Sequence, residues 1–506
     1  MKLNVKRTFL VGFAFLLISM FWQVYDSAMS IILVTHYGLN QFWSGVVLAL
    51  DNILALFLLP LFGRLSDRTN TKMGKRKPYI LIGTIVAALV FIVLGFIDKY
   101  QIASIHGMNV GPVLFDEAAQ TYYFTVDGTR QLFEYDGVFR IGYPIREVVS
   151  QARGAYIFET VTKPNWYYLA TFIAILFIVL LAMCSFRTPA VSLMPDVTLK
   201  PLRSKANAII NAMGTIGGAI SLGLITFIGT MDPTRNYSTF TYLPLFIVIA
   251  LVMLLMLTVF MVFVKETAWS EEMRRESIEL GIETKESEDV EAGTKGEKMT
   301  PEVRKSFILI LSSVVLWFFA YNAATSKIAV YSTEVLGIVQ YSIPMMVAFI
   351  SALIAFYPVG IISTKIGRKT TIMGGLVIFV TGFLCGFLAG VIPGAGWLVY
   401  VSMAVVGVGW ASINVNSYPM VVEMSHGANI GVYTGYYYTA SMAAQIFTPM
   451  LSGLFMDWFS MRWALFPYSI VFGLAALVTM FFVKHGEPKK IDVATEEVLV
   501  EEVPAE

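Results

Sequence analysis

Gly63-Arg64-Leu65-Ser66-Asp67-Arg68, followed by Gly74-Lys75-Arg76-Lys77-Pro78, separates two long apolar runs at 43–62 and 79–97. Basic residues between stretches that can each cross a hydrocarbon core of about 30 Å mark a loop held on one side of a bilayer. The arrangement recurs: Gly360-Ile361-Ile362-Ser363-Thr364-Lys365, then Gly367-Arg368-Lys369, follows the run at 342–362. A small-residue turn and a basic cluster at the same place twice predict two related halves, an organisation that suits alternating access.

Apolar runs of membrane-crossing length number twelve, at 9–32, 43–62, 79–97, 167–194, 206–229, 242–264, 306–326, 342–362, 370–391, 397–418, 430–455 and 463–483. Of the 506 residues 57% are apolar and 14% charged, against roughly 25% charged in ordinary globular chains. With a mean hydropathy of +0.69, this excludes a string of soluble domains. Lys+Arg 36 against Asp+Glu 35 leaves a formal charge of +1, so no overall field points to nucleic acid. Cys184 and Cys385 both lie inside apolar runs and staple no loops. The first run follows Lys2, Lys6 and Arg7 but extends well beyond a signal-peptide core, and reads as a retained helix.

The N-terminus and the loops 63–78, 196–205 and 363–369 carry 3, 6, 3 and 3 basic residues, whereas the opposite short loops share only Arg235, Lys327 and Arg462. The positive-inside rule therefore places both termini in the cytoplasm of a multi-pass protein of the cell inner (plasma) membrane. The expected fold class is an all-α membrane protein of twelve transmembrane helices in two six-helix halves, with a large external loop between helices 3 and 4. The halves are 1–264, carrying the external insertion 98–165, and 306–484. A cytoplasmic linker, 265–305, joins them, and 485–506 is an acidic, disordered tail. In the linker, Trp269, Met273, Ile278 and Leu280 fit a short surface helix or a solvated coil. In the insertion, Asp127-Gly128 after Tyr122-Tyr123-Phe124-Thr125-Val126 predicts a tight hairpin.

The segment Gly63 to Pro78 resembles the loop between the second and third helices of the major facilitator superfamily. The resemblance implies a conformational gate of Gly63, Asp67, Arg68, Gly74 and Arg76, in which glycines allow close helix approach and Asp67 caps a helix or pairs with basic residues on a neighbour, an arrangement that must break when the halves rock. Arg187-Thr188-Pro189-Ala190-Val191-Ser192-Leu193-Met194-Pro195-Asp196, with Leu202-Arg203-Ser204-Lys205-Ala206-Asn207, looks like the sucrose-transporter-like branch of the glycoside-pentoside-hexuronide:cation symporters. Gly409-Trp410-Ala411-Ser412-Ile413-Asn414-Val415-Asn416-Ser417-Tyr418-Pro419 looks like its bacterial members. This resemblance implies cation-coupled uptake of sugars, often disaccharides such as sucrose or maltose. The paired aspartates that hold sodium in melibiose-type relatives stand here as Ala55 and Leu59, which points to protons rather than sodium.

An ionisable group near the bilayer centre costs at least about 2.5 kcal/mol and needs a partner, a wet cavity or a function. Asp26 in the first run, Asp51 in the second and Arg187, roughly 14 Å inward of Asp196 at helical rise, are such groups. Two acids and one base leave one carboxylate uncompensated, so Asp26 or Asp51 is the expected proton carrier. Arg187 then pairs with the deprotonated form or binds substrate hydroxyls. The alternative is a permanent ion-paired triad that only fixes helix packing.

Polar residues at helical spacing outline the rest of a cavity: Gln23 and Asp26 in the first run; Trp317 and Tyr321, with Asn322 beside them, in the seventh; Trp410 and Asn414, with Asn416 beside them, in the tenth; Tyr437, Ser441 and Gln445 in the eleventh. With Arg187, amides and hydroxyls there suit sugar hydroxyls, and aromatic rings suit the apolar face of a pyranose. Each stripe alone also fits interhelical glue.

The histidines His36, His106, His426 and His485 lack metal-ligand spacing, and no phosphate-binding loop appears, so neither metal nor cofactor nor enzyme chemistry is expected. No segment reads as a docking motif for an obligate protein partner. The expected function is proton-coupled symport of a glycoside. A membrane sugar sensor without transport and a drug or metabolite efflux facilitator stand as rival readings.

Overall fold

The computed structural model describes residues 3–117, 121–131, 145–199, 202–230, 239–279, 300–424 and 430–486. The acidic tail from 487 onward, Arg235, His426 and the linker stretch 280–299 lie outside the described residues, as do the side chains of Asn207 and Thr434.

Helix α1 (Val5–Val24) continues through π-helical turns at Tyr25–Met29 and Ile32–His36. It is followed by α2 (Gln41–Arg68), α3 (Lys77–Gly107), the strands β1 (Leu114–Asp116), β2 (Thr121–Val126) and β3 (Thr129–Gln131), and α4 (Ile145–Ile157). Then come α5 (Trp166–Asp196), α6 (Arg203–Thr230), α7 (Leu243–Phe263) and the short α8 (Glu266–Glu279). The second half comprises α9 (Pro301–Val330, with a π turn at Tyr331–Val335), α10 (Ser342–Ile366), α11 (Arg368–Val391), α12 (Leu398–Glu423), α13 (Ile430–Phe459) and α14 (Met461–Phe481).

Eleven of these helices are long and apolar enough to cross a membrane. The remaining expected span lies in the 30-residue α13, where the run Tyr436-Tyr437-Tyr438 and several hydroxyl and amide side chains dilute the hydropathy. Burial sorts the spans. α1 is enclosed on nearly all sides, with Val11, Ala14, Leu17, Met20, Phe21 and Val24 fully buried, whereas α7 leaves Leu251, Leu255 and Val262 exposed as a lipid-facing side would.

The loop side of α8 settles the choice left open for Trp269. The segment is helical, Trp269 packs on the hydrophobic core, and the Arg7 guanidinium lies 5.5 Å over its ring while pairing with Glu272 at 2.6 Å.

The two halves are tied together at the end that carries the insertion. There Lys327 Nζ donates to Gln41 O (3.2 Å), Gln41 Oε1 (3.0 Å) and Ser44 Oγ (2.6 Å). The Asp457 carboxylate accepts from the Gln41 and Phe42 amides, both at 2.9 Å, capping the start of α2. Thr226 meets Ser342 at 2.6 Å and Tyr242 meets Tyr341 at 3.2 Å. A Cβ on Gly45 would strike the Pro449 carbonyl and one on Gly453 the Gln41 carbonyl, so α2 and α13 touch backbone to backbone.

The insertion forms a cap over this seam. β1, β2 and β3 pair in that order, antiparallel, and the expected hairpin turns at Asp127 (φ 49°) and Gly128 (φ 75°). Phe124, Val110, Val149, Ile157 and Val161 give the cap its own small core. The first and seventh spans end alike, each in a π turn followed by a left-handed glycine, Gly38 (φ 67°) and Gly337 (φ 69°). Helix α4 straddles both ends: Gly154 lies against Gly38, and Arg146 lies against Gly337. Arg153 Nη1 reaches Thr35 O at 3.2 Å, and Glu147 Oε1 accepts from the Met461 amide at 2.6 Å. The cap helix therefore clamps one half to the other.

Candidate functional site

Asp26 sits in the π turn Tyr25–Met29, about two-thirds of the way along the first span, Val5–His36. A π turn inserts one residue into the helical count, which shifts the facing of side chains beyond it and is frequent at functional sites. The consequence is visible in burial: Tyr25, Ser27, Ala28 and Met29 are buried, while the carboxyl of Asp26, surrounded by protein, still meets solvent-accessible space. Asp51 on α2 is buried at 9% exposure and accepts from Asn52 Nδ2 at 2.7 Å. Arg187 on α5 lies 5.3 Å over the ring of Trp22.

Asp26, Asp51 and Arg187 are within electrostatic reach of one another, as the pairing of spans one, two and four requires. Yet among the described residues none of the ion pairs closer than 4.0 Å joins Arg187 to either acid. The charges share one region without locking together.

On the second half, Tyr321 of α9 feels the charge of Asp26 and stacks flat on Trp410 of α12, with centroids 3.9 Å apart and planes 5° from parallel. Phe379 also stacks on Tyr321, with centroids 6.1 Å apart, and Phe318 meets Trp410 edge-on. Asn414 is exposed one turn beyond Trp410, and Asn322 Nδ2, beside Tyr321, is buried with no hydrogen-bond partner among the described residues. This set offers a carboxylate, a guanidinium, amides and a flat aromatic face, the inventory that binds a hydroxylated ring.

Other expected site residues sit elsewhere. Trp317 is fully enclosed in the hydrophobic core and makes no wall of the cleft. Asn416 is buried and donates to Ser412 O of its own helix at 2.9 Å. Tyr437 is buried against Ser417 Oγ at 2.9 Å, so this member of the tyrosine run ties α13 to α12 while Tyr436 and Tyr438 stay exposed. Ser441 is buried and bonds Tyr438 O, and the half-buried Gln445 bonds Ser441 O, both within α13. Gln23 is buried beside Ser27, to which it donates at 3.0 Å. Helical spacing put these residues on the right helices, but rotation within the bundle is set by packing, which spacing alone does not encode.

At the end opposite the cap, Arg76 binds Asp67 (2.6 Å), Asp196 (2.7 Å) and Ser66 Oγ (2.5 Å). Burial works against its charge, but Asp196 and then Asp67 outweigh it and hold the guanidinium above its ordinary value. The Glu266 carboxylate accepts from the amides of Lys75 (2.6 Å), Arg76 (2.8 Å) and Lys77 (2.9 Å). It lies where a Cβ on Gly74 (φ 115°) would be, so this position requires glycine twice over. Gly63 lets α2 approach Thr188 of α5 closely, whereas Arg68 projects exposed from the end of α2.

Several residues escaped the sequence reading. Trp22 and Asn52 lie beside expected site residues but carry no formal charge. Lys327 was read as a loop charge, yet it is fully buried between the halves. Asp98, placed in the insertion by sequence, pairs with His36 Nδ1 at 2.6 Å, both side chains fully buried. Glu334 and Glu147 were not singled out and are buried at the cap seam.

Two expected outcomes arise here. Lys327→Met removes the donor of three seam hydrogen bonds, worth about 2 kcal/mol together and enough to move an opening equilibrium roughly thirtyfold. Labelling of single cysteines at the cap end should rise accordingly; unchanged labelling would show that the seam does not depend on Lys327. Burial pushes the Glu147 carboxyl up to about 7, against the Met461 and Arg462 amides and the Arg462 charge, with Glu334 adding to the rise. A raised carboxyl favours docking while it is protonated, so the clamp is strongest below the ordinary glutamate range and weakens as pH climbs through about 7. Glu334, Arg146 and Arg153 face the same cavity and modulate this. Hydrogen exchange within 145–157, corrected for intrinsic rates, should be faster at pH 8 than at pH 6, and Glu147→Gln should abolish the difference.

Comparison with known proteins fits this geometry. The model of the Major Facilitator Superfamily matches residues 154–441 and 338–503, and that of MFS/sugar transport proteins matches residues 10–100. The chain belongs to the Major Facilitator Superfamily. Sucrose transport protein SUC4 of Arabidopsis thaliana is 32% identical over 72 residues, spanning 13% of this chain and only 14% of that protein. The inward-open structure of the xylose transporter XylE from E. coli superposes with a TM-score of 0.61 at 16% identity, covering 98% of this chain and 100% of that one. A D-xylose-proton symporter superposes with a TM-score of 0.58 at 14% identity, covering 96% and 99%. The chain is a multi-pass membrane protein with the fold of transporters.

Proposed function

We propose that this protein is a proton-coupled symporter of a glycoside, in the size range of a disaccharide, working by alternating access. The observation that carries the reading is Asp26. It is an acid well inside the first span, held in a π turn and reaching solvent-accessible space, with Arg187 unlocked beside it and the Tyr321–Trp410 pair on the second half. The short match to a sucrose transport protein and the fold shared with a D-xylose-proton symporter support the substrate class and the coupling ion.

In this reading the cap faces outward, both termini are cytoplasmic, and the protein sits in the cell membrane. The seam at Lys327 and Asp457 is then the closed outer gate, and the cleft opens inward. Segment 265–305 links the halves across the cytoplasmic face. A proton entering from outside neutralises Asp26 or Asp51, the sugar binds between Arg187 and the aromatic platform, and the halves rock. The Arg76–Asp67–Asp196 and Glu266 contacts join no residue of the second half, so in this reading they hold the cytoplasmic ends of the first half together instead of breaking as the halves rock, which departs from the gate that the resemblance implies. Counterflow in liposomes with a panel of labelled sugars tests the substrate class. Exchange of one or more glycosides is expected; exchange of none, with the protein folded, would overturn the reading.

A further inference from the structure

The clamp between cap and halves encloses a cavity of about 180 Å³ that the central site does not use. Its polar lining comes from all three parts of the molecule: Arg146, Glu147 and Gln151 from the cap helix, Gln41 from the first half, Glu334 and Asp457 from the second. Asp457 is saturated, since both oxygens accept backbone amides of α2. Glu147 and Glu334 are not. They are 2% and 7% exposed, and among the described residues no donor reaches Oε2 of either.

A buried carboxyl oxygen left without a hydrogen-bond partner costs about 1–3 kcal/mol, so two in one cavity call for a ligand that brings groups able to donate and accept, as hydroxyls do. The volume is below the roughly 300 Å³ at which drug-sized pockets begin, and well above the share of a single water or ion. Gln41 and Gln151 add amide donors and acceptors around it, and Val34, Leu39 and Met461 supply an apolar wall. Arg146 and Arg153 offset two of the three acids, which disfavours a cation as occupant.

We propose that this cavity is a second, external saccharide site, sized for one sugar ring and bound through the free oxygens of Glu147 and Glu334. The assignment rests on the sugar-symport reading for its ligand class. The site captures one ring of the substrate at the mouth. Because Glu147 also holds the cap to Met461, the capture point and the outer gate share a residue.

The test is equilibrium binding of labelled glycosides to the purified full chain. Wild type should bind two per chain. Trp410→Ala, which weakens the central site roughly ten- to a hundredfold, should keep one at glycoside concentrations well below that weakened Kd. Adding Glu147→Gln or Glu334→Gln should weaken that remaining site at least tenfold. Glutamine at 147 still presents an oxygen to the Met461 amide, so the clamp survives while the free acceptor becomes a donor. The second variant, at 334, leaves that clamp untouched. One site in wild type, or residual binding in Trp410→Ala indifferent to both glutamine variants, would overturn the proposal while counterflow still upheld sugar transport. Absence of both binding and counterflow in wild type would instead sink the transport reading itself.

Discussion

Asp26→Asn removes uphill accumulation while sparing downhill exchange. A one-to-one symporter should concentrate its sugar roughly tenfold for each unit of imposed pH difference, since each unit stores about 1.36 kcal/mol. An asparagine at 26 cannot bind and release the proton, so the ratio falls to one. Counterflow persists because the amide still offers hydrogen bonds to hydroxyls. Asp51→Asn should give the same loss if the two acids act as a pair, with Asn52 keeping the new amide oriented. Uptake into proteoliposomes with and without a pH gradient reads both. If both variants still accumulate sugar, the coupling assignment is wrong. Arg187 lies over Trp22 and feels both acids, but makes no ion pair closer than 4.0 Å with either among the described residues. It is therefore suited to holding the substrate rather than the proton.

Trp410→Ala should weaken sugar affinity by roughly ten- to a hundredfold, from a lost aromatic contact of about 1 kcal/mol together with the lost apolar burial. The indole is stacked on Tyr321, so its removal also frees the tyrosine ring to tilt, and the platform loses its flatness. Asn414→Ala, one turn away and exposed to the cleft, should cost less, about the value of one or two hydrogen bonds, ~1–2 kcal/mol. Neither change should disturb insertion, because Trp410 is only partly buried and Asn414 is open. Binding measured by quenching of intrinsic fluorescence or by labelled substrate separates the two. Equal affinity in all three proteins would remove the tenth span from the site.

What the residues disclosed in advance followed from physics that acts locally. Membrane crossing depends on a run of apolar side chains, so the spans were legible one by one, and charge at mid-span is costly enough that Asp26, Asp51 and Arg187 announced themselves. The aspartate-glycine hairpin of the cap was legible for the same reason, since its backbone preference is local. Features that depend on how helices turn against one another were not. Trp317 and Trp410 belong to equally polar-looking stripes, and only packing sends one into the core and leaves the other beside the cleft. The π turn that brings Asp26 into accessible space has no spelling in the residues around it. Lys327, isolated near the end of a span, reads as a topological marker until Gln41 and Ser44 of another helix close around it. The cap seam was hidden for a related reason, because Glu147, Glu334 and Asp457 come from segments far apart in the chain.

The most direct measurement is proton movement itself. Proteoliposomes in lightly buffered medium, given a transported glycoside on the outside, should alkalinise that medium in step with sugar entry, about one proton per sugar, and should stop doing so with Asp26→Asn. Sugar entry in the wild-type protein with no accompanying proton uptake, or with uptake that survives replacement of both Asp26 and Asp51, would contradict the account.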